Sequence, residues 1–217
     1  MAVLMRALVI FALLLVLTIY NCVVKDKVNW QIAKYLYADY VGGTHVLPNQ
    51  PYNLLLGSST LANLNVDNYL RCQPWLNRGI GSAKISDISD YVRLANLHDH
   101  VSYVVVYMGE NDISDNMSVD LVKQQFLALL QTFKHRFRQA TIVVLAIKYA
   151  PARQDSWADF EEFNHYLQTL ADQDERVRLI QVAEKSQQVG LFTGDNLHFN
   201  HRGYDLFTRQ VNALCHS

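Results

Sequence analysis

A serine hydroxyl beside a strand end, an asparagine amide on a second loop and a histidine shortly after an aspartate together supply what acyl transfer needs. The hydroxyl attacks a carbonyl, the amide and nearby backbone N–H groups hold the developing oxyanion, and the imidazole moves the proton. In this chain Ser58 and Ser59 follow the leucines of "YNLLLG", and Asn111 lies in Gly109-Glu110-Asn111-Asp112 after "VSYVVVYM". Asp195 precedes His198 by three residues in "TGDNLHFNHRGY". A carboxylate at that spacing can hold one imidazole nitrogen while the other turns to a serine. The same residues admit other readings. A lone serine after a strand commonly caps the next helix. Asp195, His198 and His201 form D-x-x-H-x-x-H, a pattern able to grip a metal. Glu110 and Asp112 are a carboxylate pair, but two residues apart on one loop they suit turn capping better than glycoside cleavage.

Loops of this kind must be held by regular elements, and the chain alternates two hydrophobic periods. Apolar runs at 53–57, 75–80, 101–108, 141–147 and 177–182 read as strands. Helical spacing occupies 61–70, 85–97, 118–137 and 157–171, and a last helix runs over 202–214. Near-continuous apolar strands alternating with helices predict a parallel sheet covered on both faces, a three-layer α/β/α, flavodoxin-like doubly wound fold. In a 2-1-3-4-5 strand order the switch point lies between strands one and three. The loops carrying Ser58-Ser59 and Asn111 then face each other beyond the carboxyl ends of the sheet.

Four stretches, "LLLGSST", "NRGIGSAKISDI", "VYMGENDI" and "DNLHFNHRGY", resemble in order the conserved blocks of the SGNH (GDSL-like) hydrolase superfamily, over about residues 52–214. The resemblance implies Ser59 as nucleophile, Asn111 as oxyanion-binding amide, and Asp195 and His198 as the remaining catalytic pair. In the second block the family's glycine is replaced by Ser82, whose backbone N–H would still serve the oxyanion hole, with Gly81 as the fallback donor. Ser58 and Thr60 stand where GDSL names aspartate and leucine. "IKYAPARQDSW" is similar to a loop of some family members, which implies that Arg153 and Trp157 bind an anionic or sugar-like part of the substrate. Their plain alternative is an Arg153 pair with Asp155 or Asp159 and a Trp157 that staples the next helix. The resemblance implies a serine-dependent esterase working through an acyl-enzyme, without metal or organic cofactor. An O-acyltransferase on an envelope glycan and a catalytically silent binding module are the alternatives.

Composition bounds the partners. Nineteen basic and 20 acidic residues give a formal charge of −1, so nothing favours a polyanion such as nucleic acid. At 217 residues, half of them apolar, one sizeable core fits. Residues 1–24 form a hydrophobic segment, with Ala7–Val24 nearly free of polar side chains and 18 residues long. At about 1.5 Å per residue it nearly spans a hydrocarbon layer of about 30 Å, and no small-x-small cleavage site follows it, which favours an uncleaved membrane anchor over a signal peptide. Residues 25–51 read as a short amphipathic helix, lying on the membrane or on the domain, followed by a linker. Residues 52–217 form the catalytic domain, expected on the exported side because the resemblance often goes with envelope and secreted enzymes. Cys22, Cys72 and Cys215 are too few for a disulfide framework, and a single Cys72–Cys215 bridge is the most the chain could form within that domain.

Overall fold

The computed structural model describes residues 27–41, 50–71, 74–97, 100–181 and 190–214. The hydrophobic amino-terminal segment and all three cysteines lie outside these residues, and with them the anchor and the disulfide. Among the described residues no helix is long and apolar enough to cross a membrane.

Five strands, β1 (Tyr52–Gly57), β2 (Trp75–Gly79), β3 (Val101–Tyr107), β4 (Thr141–Leu145) and β5 (Val177–Ile180), form one all-parallel sheet in the order β2-β1-β3-β4-β5. The expected fold class and strand order are both found. The helices are α1 (Lys27–Val41), α2 (Ser59–Ala62), α3 (Val66–Tyr69), α4 (Ile85–Leu94), α5 (Glu110–Ser114), α6 (Val119–Arg136), α7 (Trp157–Gln173) and α8 (His201–Ala213).

The pleat sorts each strand's side chains between two cores. Leu54, Leu56, Val104, Val106 and Ile142 pack with Ile88 and Val92 of α4, Phe126 and Phe133 of α6, and Phe160 and Phe163 of α7. Leu55, Val105 and Val143 pack on the other face with Leu61 of α2 and Phe207 and Val211 of α8. Each such buried side chain contributes on the order of 1.5–3 kcal/mol, which is why these strands are apolar at successive positions rather than at alternate ones.

Two of the boundaries that differ from the periodic reading are set by a side-chain amide. The helix expected over 61–70 is split into α2 and α3, because the Asn65 side chain accepts the Asn68 N–H at 3.1 Å and caps a new turn. β4 ends at Leu145 rather than 147: Asn164 on α7 accepts the Ile147 N–H at 2.8 Å and donates to its carbonyl at 2.9 Å, replacing a neighbouring strand.

What concerns function is the carboxyl edge. Gly57 pairs with Gly79 on one side and Tyr107 on the other, so the loops after β1, β2 and β3 leave the sheet at one level. Gly79 has to be glycine, since a Cβ there would meet the Ala62 nitrogen at 2.3 Å and push α2 off the sheet.

The amphipathic helix α1 packs on the domain with one of its faces. Ile32 is buried in the larger core and the Tyr35 hydroxyl donates to the Gly79 carbonyl at 2.8 Å. Asp39 is enclosed between the Arg78 guanidinium, with which it forms an ion pair, and the Tyr91 hydroxyl, which donates to it at 2.7 Å.

Candidate active site

Ser59 is the first residue of α2, immediately beyond the carboxyl end of β1. Its Oγ lies 3.0 Å from His198 Nε2, and His198 Nδ1 lies 2.6 Å from Asp195 Oδ2. The turn before α8 is built around the Asp195 carboxylate. Its Oδ1 accepts the Leu197 and His198 N–H groups at 2.9 and 3.0 Å and the Thr193 hydroxyl at 2.6 Å. The Thr193 hydrogen bond and then those from His198 hold this carboxyl well below the usual carboxylate range. It therefore stays ionised and fixes the tautomer with the proton on Nδ1, leaving Nε2 as an acceptor for the serine proton.

The other two loops bring donors to the same edge. Asn111, on α5, gives one Nδ2 proton to the Ala83 carbonyl at 2.9 Å, which fixes the amide plane and leaves its second proton free for an oxyanion. Ser82 lies in the left-handed region with φ of 63°, a conformation that favours glycine. The N–H groups of Ser59 and Ser82 have no acceptor among the described residues. Gly81 does not remain available as the fallback donor: its N–H is taken by the Gln31 side chain of α1 at 2.8 Å.

Ser82→Gly is therefore expected to keep turnover within a few fold and to raise stability by up to about 1 kcal/mol, because the left-handed conformation costs an L-residue about that much. Thermal melts of the two proteins check it, and a loss of activity in Ser82→Gly would mean that the hydroxyl itself acts. If Asn111 supplies an oxyanion donor, Asn111→Ala should lower kcat by about 10²–10³ with little change in KM. Unfolding at unchanged activity per folded molecule would instead make Asn111 a turn brace.

Beneath the serine lies a buried ionic cluster that sequence reasoning missed. Lys148 follows β4 and Glu110 begins α5, and their side chains, 1% and 4% exposed, pair at 2.5 Å. The Lys148 ammonium also donates to the Thr60 hydroxyl at 3.1 Å and the Tyr107 hydroxyl at 3.2 Å, while Tyr107 donates to Glu110 at 2.7 Å. Burial pulls the Lys148 ammonium below its ordinary pKa, against the opposing pull of Glu110. The available signal was two charged residues just past adjoining apolar strands, a place where an unpaired charge is costly. Glu110 and Asp112 are accordingly no glycosidase pair, for Asp112 is buried separately and accepts the Ile85 N–H at 3.1 Å.

Arg153 and Trp157 separate from each other in role. The Trp157 indole donates to the Ala150 carbonyl at 3.0 Å and its ring meets Tyr149 edge-on, contacts with the segment before α7. Arg153 pairs with neither Asp155 nor Asp159. Its guanidinium has no carboxylate partner among the described residues, and its buried Nε has no acceptor. The preceding residue ties this loop to the turn that carries Asp195 and His198, with the Ala152 N–H donating to the Asn196 carbonyl at 3.0 Å. His201 turns away from His198, to the Tyr69 hydroxyl at 2.6 Å and Asp205 at 3.4 Å. Among the described residues, no three His, Cys, Asp or Glu side chains converge as metal ligands.

The sequence model of the GDSL-like Lipase/Acylhydrolase family matches residues 42–206, more than half of the chain. Solved structures share the fold at low identity. A candidate platelet activating factor from Streptococcus pneumonia superposes with a TM-score of 0.75 at 18% identity, over 93% of this chain and 98% of that one. A GDSL-like lipase from Bacteroides thetaiotaomicron gives 0.73 at 13% identity, over 88% and 98%. A carbohydrate esterase family 3 protein from Talaromyces cellulolyticus gives 0.59 at 13% identity, over 76% and 96%. Two curated nucleotide-binding proteins, from Acidovorax sp. (strain JS42) and Acidovorax ebreus (strain TPSY), are each 39% identical over 87 residues, 40% of this chain. The chain spans only 29% of the length of these curated relatives, and it contains no G-x-x-x-x-G-K-[ST] phosphate loop.

Proposed function

The chain belongs to the GDSL-like lipase/acylhydrolase family, and from that premise we propose that it hydrolyses a carboxylic ester through an acyl-enzyme on Ser59. The observation that carries this reading is the continuous hydrogen-bonded relay from Asp195 through His198 to the Ser59 hydroxyl. His198 Nε2 takes the hydroxyl proton as Oγ attacks the ester carbonyl. The oxyanion is received by the N–H groups of Ser59 and Ser82 and the second amide proton of Asn111. His198 then returns its proton to the departing alkoxide, and water, deprotonated by the same nitrogen, releases the acid and regenerates the serine. The Asp195 charge offsets the imidazolium formed in both steps.

Short-chain p-nitrophenyl esters test the reaction, with a fluorophosphonate as the covalent probe of the serine. Turnover that the probe abolishes supports the reading. A protein that neither turns over these esters nor accepts the probe is a binding module instead.

Arg153 narrows the ester class. A half-buried guanidinium without a carboxylate partner, on the loop hydrogen-bonded to the catalytic turn, suits a substrate carrying a negative charge. Arg153→Gln is expected to raise KM about 10-fold or more for a carboxylate-bearing ester, the loss of roughly one charge-assisted hydrogen bond, while leaving a neutral ester of equal length unchanged. Equal losses on both esters would place Arg153 in the fold rather than in recognition.

A further inference from the structure

One face of α1 is used by the fold and the other is not. Gln31, Ile32, Tyr35 and Asp39 turn to the domain. At about 100° per residue, Trp30, Ala33, Lys34, Tyr37 and Tyr40 fall within an arc of about 120° on the opposite side. All five are exposed, Trp30 by 54%, Tyr37 by 68% and Tyr40 by 65%, and no acidic residue shares their face. The Tyr40 hydroxyl reaches the Leu94 carbonyl at 3.2 Å, yet its ring remains in solvent. Tryptophan and tyrosine with a single lysine is the composition of a membrane–water interface. There the rings sit among headgroups and the ammonium meets anionic phosphate.

The chain upstream identifies what covers this face. The apolar stretch Ala7–Val24 is of membrane-spanning length, and α1 starts at Lys27 with only Lys25 and Asp26 between. At no more than about 3.6 Å per residue, α1 begins within roughly 11 Å of the end of that stretch. We propose that the aromatic face of α1 lies in the headgroup layer of the membrane entered by residues 7–24, seating the domain against the bilayer instead of hanging it from a tether. Gln31 and Tyr35 on the inward face hold Gly81 and Gly79, so the loop carrying Ser82 stands about one helix diameter, roughly 10 Å, from the lipid surface. The proposal does not depend on the reaction catalysed.

The full-length chain reconstituted in phosphatidylcholine–phosphatidylglycerol vesicles tests it through its three tryptophans, of which Trp75 and Trp157 serve as the internal reference. Lipids brominated on the acyl chain near the headgroup are expected to quench part of the emission, and that component should disappear in Trp30→Phe. Equal quenching of the two proteins overturns the proposal. So does a Trp30 component that iodide in the water quenches and the brominated lipid does not. A Trp30 shielded from both quenchers would be covered by protein, which overturns it as well. Fluorophosphonate labelling of Ser59 in the same samples reads the hydrolase separately, so either conclusion can fail without the other.

Discussion

Ser59→Ala is expected to lower kcat by on the order of 10⁴–10⁶ and to abolish fluorophosphonate labelling while the protein melts as wild type does. The size of the loss follows from the relay acting as a unit. In the proposed reaction no acyl-enzyme can form without Oγ, and His198 and Asp195 are left with no proton to move. The residue remaining after such a loss is the rate supplied by the oxyanion donors and by substrate binding alone. Stability should hardly change, because the only side-chain partner of the half-buried hydroxyl among the described residues is His198, which keeps its bond to Asp195. Labelling at another residue, or activity within 10-fold of wild type, would remove Ser59 from the reaction.

Glu110→Ala carries the largest expected effect on stability. It deletes the counter-charge of an ammonium that is 1% exposed, and stranding one half of a buried pair typically costs about 3–5 kcal/mol. The dependence on pH identifies the cause. Burial lowers the Lys148 pKa and Glu110 raises it, so in the variant Lys148 should fall further below its ordinary pKa. Between the folded and unfolded pKa values the unfolded chain then binds more protons than the folded one. The deficit is full below the folded pKa and shrinks as the pH rises toward the unfolded value. Urea titrations across that range check the trend. Adding Lys148→Met to Glu110→Ala should recover much of the loss, since an apolar side chain of similar length can occupy the site without a charge. A deficit independent of pH, with no recovery in the double variant, would refute an electrostatic origin.

How far such features could be read from the sequence depends on their range. Strands and helices were legible because Leu54–Leu56, Val104–Val106 and Ile142–Leu145 are apolar on both faces of the sheet, and the strand order then put the loops bearing Ser59 and Asn111 side by side. Local chemistry was legible for the same reason: Asp195 and His198 are three residues apart and meet within one turn. The Lys148–Glu110 pair spans 38 positions and the Gln31–Gly81 bond spans 50. Neither leaves a periodic trace, since each depends on which loops the sheet brings together. The ends of α2 and β4 were displaced by the amides of Asn65 and Asn164, whose partners only the folded chain defines. Ser82 shows a further limit, in that its residue type gives no sign of a positive φ, which only its place in the second block suggested.

The Asp39–Arg78–Tyr91 cluster determines where this protein may be cut. The family's sequence model starts at residue 42, so a recombinant fragment drawn to that boundary would discard Asp39, Tyr35 and Gln31 and retain everything they hold. Arg78, whose side chain is 8% exposed, would be left as an unpaired cation against Tyr91, and the core patch covered by Ile32 would open to water. A fragment that keeps these contacts has to include Gln31, Ile32, Tyr35 and Asp39 of α1. A fragment begun at residue 42 or 52 would tend to aggregate, and its inactivity would report on the missing helix rather than on the chemistry of Ser59.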